Sequence, residues 1–369
     1  MNRVPFIGFA DEPDVLKEQM ATAALSVIDS STFVLGSKVR AFEERWAAEC
    51  GTKESVGVAN GLDAIEIALR ALGIGPGSEV ITTPMTAVAT ALAIIRAGAT
   101  PVLADIDPDT ALLDPTSAAR CITPRTRAVL LVHLYGQVRD MSRWEDLCAS
   151  HNLVLLEDCA QAHLAKEEGI AAGAFGVAGA YSFYPTKNLG ALGDAGALVT
   201  NDPAVAEQAR QLRNYGQSNR YEHPLLGLNS RLDEMQAALL NIRLDHLAAF
   251  TQRRREVAAA YRAGINNQRV ALLAPELSPE QHVHHLFVVR TDDRDALAAH
   301  LDVAGIDTLI HYPIPAHQQA SLKTIERDPE GLPHAEQHSA SCLSLPCHPQ
   351  MTSDQVDRVI NAVNSFGSA

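Results

Sequence analysis

Aromatic residues make up only 5% of this 369-residue chain, and its six cysteines include no CxxC pair. Cys50, Cys121, Cys148, Cys159, Cys342 and Cys347 stand singly, which argues against a zinc ribbon or a disulfide framework and for reduced thiols. A long hydrophobic run is missing too. The uncharged stretch 80–95 contains Pro84 and four threonines and is shorter than the ~20 residues of a membrane helix, so no membrane span is expected. The opening residues, MNRVPFIGFADEP, lack the basic start and apolar core of a secretory signal, and a cytoplasmic chain is the expectation. Cations are outnumbered, 30 against 44 acidic residues for a formal charge of −14, which disfavours nucleic acid as a partner. The basic run 253–255 falls in a helical pattern, where a solvated face accounts for it.

The chain is longer than the roughly 250 to 300 residues at which single cores stop growing, so two domains are expected. Apolar residues at three-to-four spacing predict helices through Val15, Leu16, Met20, Ala24, Leu25 and Ile28, then through Val39, Phe42 and Trp46. SVGVAN, a turn at Asn60-Gly61 and a helical pattern through Leu62, Ile65, Leu69 and Leu72 read as strand, turn, helix. Further apolar runs, EVITTP, TPVLADID, RAVLLVHLYG and NLVLLEDCAQ, are separated by helical stretches. This alternation predicts an α/β fold with a largely parallel sheet covered by helices on both faces. Beyond about residue 250 it weakens into a long helix through Tyr261, a strand-like HHLFVVR and later helices. The expected division is a large domain over 1–250 and a smaller α+β domain over 251–369.

Ligands on such sheets sit beyond the carboxyl ends of the strands. Asp158 follows the run LVLLE at such an end, either as a cap or turn residue or as an acid paired with a cation. Lys187, in YSFYPTKNLGALGD, is either a solvated loop lysine or an amine kept for chemistry. Burial lowers a lysine's pKa, and the free amine attacks carbonyls. A carboxylate at Asp158 could hold a pyridinium, Gln161 could bond a ring hydroxyl and Lys187 could carry an aldehyde, which are the needs of pyridoxal phosphate. Gly61 and Leu62 open a helix whose free N–H groups suit a phosphate. Ser182 adds a hydroxyl, although turn serines also bond their own backbone. His282, His284 and His285 have no Glu or Cys at ligand spacing, so no metal site is expected. His311 and His317 flank Tyr312 and two prolines in a loop that either lines a pocket or simply packs.

The segments GVANGLDAIEIALRALGIGPG, VHLYGQVRDM, LEDCAQAH, YSFYPTKNLGALGD and GLNSRLDEMQAALL, collinear over nearly the whole chain, resemble the DegT/DnrJ/EryC1/StrS family of sugar-nucleotide aminotransferases. The resemblance implies the fold type I of PLP-dependent transferases, the aspartate aminotransferase superfamily, with a mainly parallel seven-stranded sheet in the large domain. It also implies a homodimer with its active sites at the subunit interface, and pyridoxal 5'-phosphate (PLP, PMP once aminated) as cofactor. Position by position, it implies Lys187 as the residue that joins the cofactor aldehyde, Asp158 as the partner of the pyridine nitrogen and Gln161 as that of the ring O3′. Ser182, with the backbone at Gly61 and Leu62, becomes the phosphate cradle, and Asn229 reaches the phosphate of the neighbouring subunit.

The implied substrates are L-glutamate and a nucleotide keto-sugar, and since the family includes members that make 3-amino and 4-amino sugars, amination at C4 of a dTDP- or UDP-4-keto sugar is the alternative. His163, TLIHYPIPAHQ and HHLFVVR resemble the branch that aminates C3 of dTDP-3-keto-6-deoxyhexoses, making His163, Tyr184, His311 and His317 candidates to line the sugar or nucleotide site. Three positions depart from the family's pattern: Ala87 stands where many members carry a ring-stacking aromatic, Leu62 where a threonine is common, and Leu164 where a glycine is common. A looser hold on the cofactor is expected. Dehydratases of similar fold carry histidine at the position of Lys187, which speaks against that activity. A regulatory protein that binds the cofactor without turnover would show no glutamate-dependent bleaching of its absorbance.

Overall fold

The computed structural model describes residues 3–367. Its strands are β1 (Glu54–Val58), β2 (Glu79–Thr82), β3 (Thr100–Leu103), β4 (Thr126–Val132), β5 (Val154–Asp158), β6 (Lys166–Glu167), β7 (Ile170–Ala171), β8 (Ala178–Ser182), β9 (Gly196–Thr200), β10 (Ala271–Leu272), β11 (Phe287–Arg290), β12 (Glu326–Arg327) and β13 (Cys342–Leu345). The helices are α1 (Asp14–Ser30), α2 (Ser37–Cys50), α3 (Gly61–Ala71), α4 (Val88–Arg96), α5 (Pro115–Arg120), α6 (Met141–His151), α7 (Pro203–Leu212), α8 (Glu234–Gly264), α9 (Arg294–Val303), α10 (Pro333–Ser341) and α11 (Ser353–Ser365). Among the described residues, no helix is long and apolar enough to cross a membrane.

The large sheet runs β1-β9-β8-β5-β4-β2-β3-β12. Only β9 opposes its neighbours; every other pairing is parallel. A strand buried on both faces must be apolar at every position, which is why β4 reads as the unbroken run AVLLV. Its alternate residues feed two cores: Val129 and Leu131 pack with Phe42, Trp46 and Tyr181 on one face, Ala128 and Leu130 with Ile65, Leu69 and Leu156 on the other. The sheet has eight strands where seven were expected. The eighth, β12, is two charged residues beside β3 and carries no apolar signal to read.

The C-terminal part builds a small antiparallel sheet, β10-β11-β13, under α9 and α11. Two features cross the division expected at residue 250. α8 is a single 31-residue helix that passes through that position, and Val4, at the opposite end of the chain, packs in the C-terminal core beside Val257, Tyr261 and Phe287. In α1 the buried positions are Leu16, Met20 and Val27, whereas Val15, Leu25 and Ile28 lie exposed.

Candidate active site

The carboxyl ends of β1, β2, β4, β5 and β8 converge on one cavity, as the parallel order requires. Gly61, Leu62, Ala87, Thr90, His133, Asp158, Gln161, Ser182, Lys187 and Tyr312 line it. At its floor Asn60 caps α3 by accepting the Asp63 N–H at 2.8 Å, which leaves the first N–H groups of that helix facing the cavity wall formed by Gly61 and Leu62. No side chain fits at position 61: a Cβ would lie 2.7 Å from that of Ser182. The result is a main-chain cradle with a positive dipole end, chemistry suited to a phosphate. Ser182 Oγ accepts the Tyr184 N–H at 3.3 Å and keeps further acceptor and donor capacity.

Asp158, at the last position of β5, is buried and accepts from Thr90 Oγ1 at 2.8 Å and the Ala160 N–H at 3.1 Å. Burial nevertheless dominates and pushes its carboxyl titration up, against those bonds and the attraction of Lys187. A cationic ring nitrogen beside it would reverse that shift. Lys187 sits in the turn after β8, its amine without a hydrogen-bond partner among the described residues. Burial lowers its pKa from 10.5 to about 8, with Asp158 pulling weakly the other way. The pair therefore offers an amine that loses its proton around pH 8 and an acid waiting for a cation.

Gln161 is fixed at both ends. Its Oε1 accepts the Tyr135 N–H at 2.6 Å, and its Nε2 donates to Tyr312 Oη at 3.2 Å. Tyr135 adopts a left-handed backbone (φ 63°), uncommon for a bulky residue, and its hydroxyl donates to the His311 carbonyl at 2.6 Å. Beneath, His133 Nε2 donates to Glu157 Oε2 at 2.8 Å, and Glu157 also accepts three main-chain N–H groups, from Gly173, Phe175 and Gly176. His133, Glu157 and Cys159 bring ligand-type atoms within 4.8 Å of one another, an arrangement these bonds explain without an ion.

The structure brings Gly61, Leu62, Asp158, Gln161, Ser182 and Lys187 together and places the other sequence candidates elsewhere. His163 is fully buried behind the lysine turn, its Nε2 donating to the Ser182 carbonyl at 2.9 Å among Trp46, Tyr181 and Phe183. Burial depresses its pKa to about 3, so it is a neutral core residue and does not line the cavity. His317 is buried against Glu336, Nε2 to Oε1 at 2.9 Å, also outside the cavity. Tyr184 lies exposed beside the lysine turn, His311 lines an adjoining cavity, and Asn229 is exposed outside both. Sequence reasoning gave no role to Thr86, Thr90, His133, Tyr135 or Tyr312. Thr86 lies in the turn before α4 and Thr90 in the first turn of that helix, their hydroxyls 2.8 Å apart, a pairing that no local sequence pattern marks.

A family model described as the DegT/DnrJ/EryC1/StrS aminotransferase family matches residues 14–364. The dTDP-3-amino-3,4,6-trideoxy-alpha-D-glucose transaminase of Streptomyces venezuelae is 47% identical over 368 residues, 99% of this chain and 96% of that protein. The dTDP-3-amino-3,6-dideoxy-alpha-D-galactopyranose transaminase of Aneurinibacillus thermoaerophilus is 45% identical over 365 residues, 99% of each chain. Among solved structures, S. venezuelae DesV in complex with a ketimine intermediate superposes with a TM-score of 0.96 at 45% identity, covering 100% of both chains.

Proposed function

The chain belongs to the DegT/DnrJ/EryC1/StrS aminotransferase family, which is PLP-dependent, and on that premise we propose that it carries an amino group from L-glutamate to C3 of a dTDP-3-keto-6-deoxyhexose. The products are a dTDP-3-amino-3,6-dideoxyhexose and 2-oxoglutarate. The observation that carries the reading is Lys187, an amine with its pKa lowered to about 8, sharing a cavity with a buried acid and a helix N-terminus. Two close relatives named as dTDP-3-amino-sugar transaminases support the sugar and its carbon.

Pyridoxal phosphate, when bound, supplies an aldehyde and a ring that accepts electrons. The residues here fit it: the cradle at Gly61, Leu62 and Ser182 would take the phosphate, Asp158 would keep the ring nitrogen protonated, and Gln161 would bond the ring oxygen. Lys187 would hold the aldehyde and, as a free amine, would move a proton as base and then acid. Asn229 of the partner subunit completes the phosphate site, so the working unit is a homodimer of a cytoplasmic enzyme. Tyr184 and His311 face the sugar nucleotide.

The test is incubation with glutamate and a panel of dTDP- and UDP-linked 3-keto and 4-keto sugars, with products identified by mass and NMR. Amination at C3 of a dTDP sugar is expected. Amination at C4 alone would overturn the assignment, and so would a cofactor absorbance that glutamate does not bleach.

A further inference from the structure

Arg254, midway along α8, is a buried cation without an anion. It is 9% exposed, and among the described residues no carboxylate pairs with it. All its hydrogen bonds leave from Nη1, to the carbonyls of His284, His285 and Cys347. Among the described residues Nε and Nη2 make none, which leaves most of a five-donor fork unused. An unpaired charge at such depth is costly unless something regularly neutralises it.

The guanidinium lines a cavity of about 190 Å³ next to the active site. Ile7, Thr186, His285, Leu309, His311 and His348 contribute to its wall, and no Asp or Glu does. Its histidines do not supply charge: burial holds His285 well below its ordinary value, His311 at about 4, and His348 down as well. Two dipeptides separate this cavity from the site above. Thr186 and His311 face the Arg254 side, and their chain neighbours Lys187 and Tyr312 face the cofactor side. Burial first, then the charges of Lys187 and Arg254, hold His285 down.

We propose that this cavity receives the distal carboxylate of a dicarboxylic amino donor, bound by the free edge of the Arg254 guanidinium while the donor's amino group meets Lys187. The inference rests on the reading of glutamate as donor and assigns its recognition. A planar fork binding a carboxylate through two N–H groups selects acidic donors over apolar ones of equal length. Arg254 is a positioning residue for the first half of the reaction and takes no part in proton transfer.

The test compares wild type, Arg254→Gln and Leu309→Glu, each checked for folding by circular dichroism. The second variant adds a carboxylate to the wall at a 46% exposed position and leaves the carbonyl clamp of Arg254 intact. Calorimetry on cofactor-free protein measures glutarate binding, absorbance titration measures pyridoxal phosphate affinity, and single-turnover bleaching compares glutamate with norvaline. Both variants should weaken glutarate by roughly 10- to 100-fold, the loss expected when hydrogen bonds to a charged group disappear. Both should also erase the preference for glutamate over norvaline while holding pyridoxal phosphate within about twofold of wild type, because the cradle is untouched. Unchanged glutarate binding in both folded variants overturns the proposal, and so does a wild type that does not bind glutarate. If wild type bleaches with another acidic amino acid but not glutamate, and Arg254→Gln abolishes that, the donor reading fails and the cavity stands. Normal glutamate bleaching in both variants overturns the cavity and leaves the donor reading intact.

Discussion

Burial acts on Lys187 and Asp158 in opposite senses, pushing the amine's titration down to about 8 and the carboxyl's up. A lysine whose folded pKa is depressed is mostly charged below that value and mostly free above it. Capture of pyridoxal phosphate by the apoprotein should therefore accelerate about tenfold between pH 7 and pH 9 and then level off, as stopped-flow absorbance would record. A flat profile would mean the amine is not the attacking group. Ala87 tests the grip on the ring. It lines the cavity just before α4 with only a methyl to offer, and a stacked aromatic contributes about 0.5 to 1.5 kcal/mol. Ala87→Phe should tighten the cofactor by roughly 2- to 10-fold in an equilibrium titration. Leu164 holds a left-handed backbone (φ 69°), at a cost of about 1 kcal/mol. Lys187 and Asp158 were legible as candidates because few jobs suit a lysine in such a turn or an acid at a strand end, and both line one cavity. His163 misled for the converse reason: a histidine beside a motif looks the same whether it faces a cavity or a core.

Among elements, α3 was read from Asn60-Gly61 and a regular 3.6 spacing, and both signals survive in its cap and buried face. Asn60→Ala should cost about 1 kcal/mol of stability in denaturant titration, the usual value of an N-cap. It should also weaken phosphate-dependent cofactor binding, since the cradle N–H groups would lose their fixed direction. Pyridoxal lacking the phosphate should bind the variant and wild type alike. β12 and Tyr135 were illegible for different reasons. Two charged residues form a strand only because β3 presents an open edge, and the left-handed turn at Tyr135 depends on Gln161 and His311, partners 26 and 176 positions away. Neither leaves a local pattern.

For the whole molecule, the exposed apolar residues matter most. Val88, Leu92 and Ile95 lie exposed along α4, Val15, Leu25 and Ile28 along α1, and Phe33 and Val34 between α1 and α2. In the proposed homodimer a second copy would cover these surfaces. We expect light scattering to report a dimer for wild type and a shift toward monomer for Leu92→Glu, with weaker cofactor binding in step. A dimer unaffected by that charge would place the contact elsewhere. The fading of strand–helix alternation after about residue 250 was legible in the sequence, but the continuity of one helix through that position was not, because its pattern looks the same on either side. That helix, α8, spans about 46 Å. Its first residue, Glu234, accepts the N–H groups of Gly36, Lys38 and Val39, its Arg243 pairs with buried Glu12, and its Arg262 bonds the Leu273 carbonyl. One rod thus ties the start of the chain to its end, and the protein cannot be divided at residue 250 into self-sufficient pieces. As a split reporter cut there, each fragment would carry half a helix and part of the other's core, so folding itself would become the signal that the two had met.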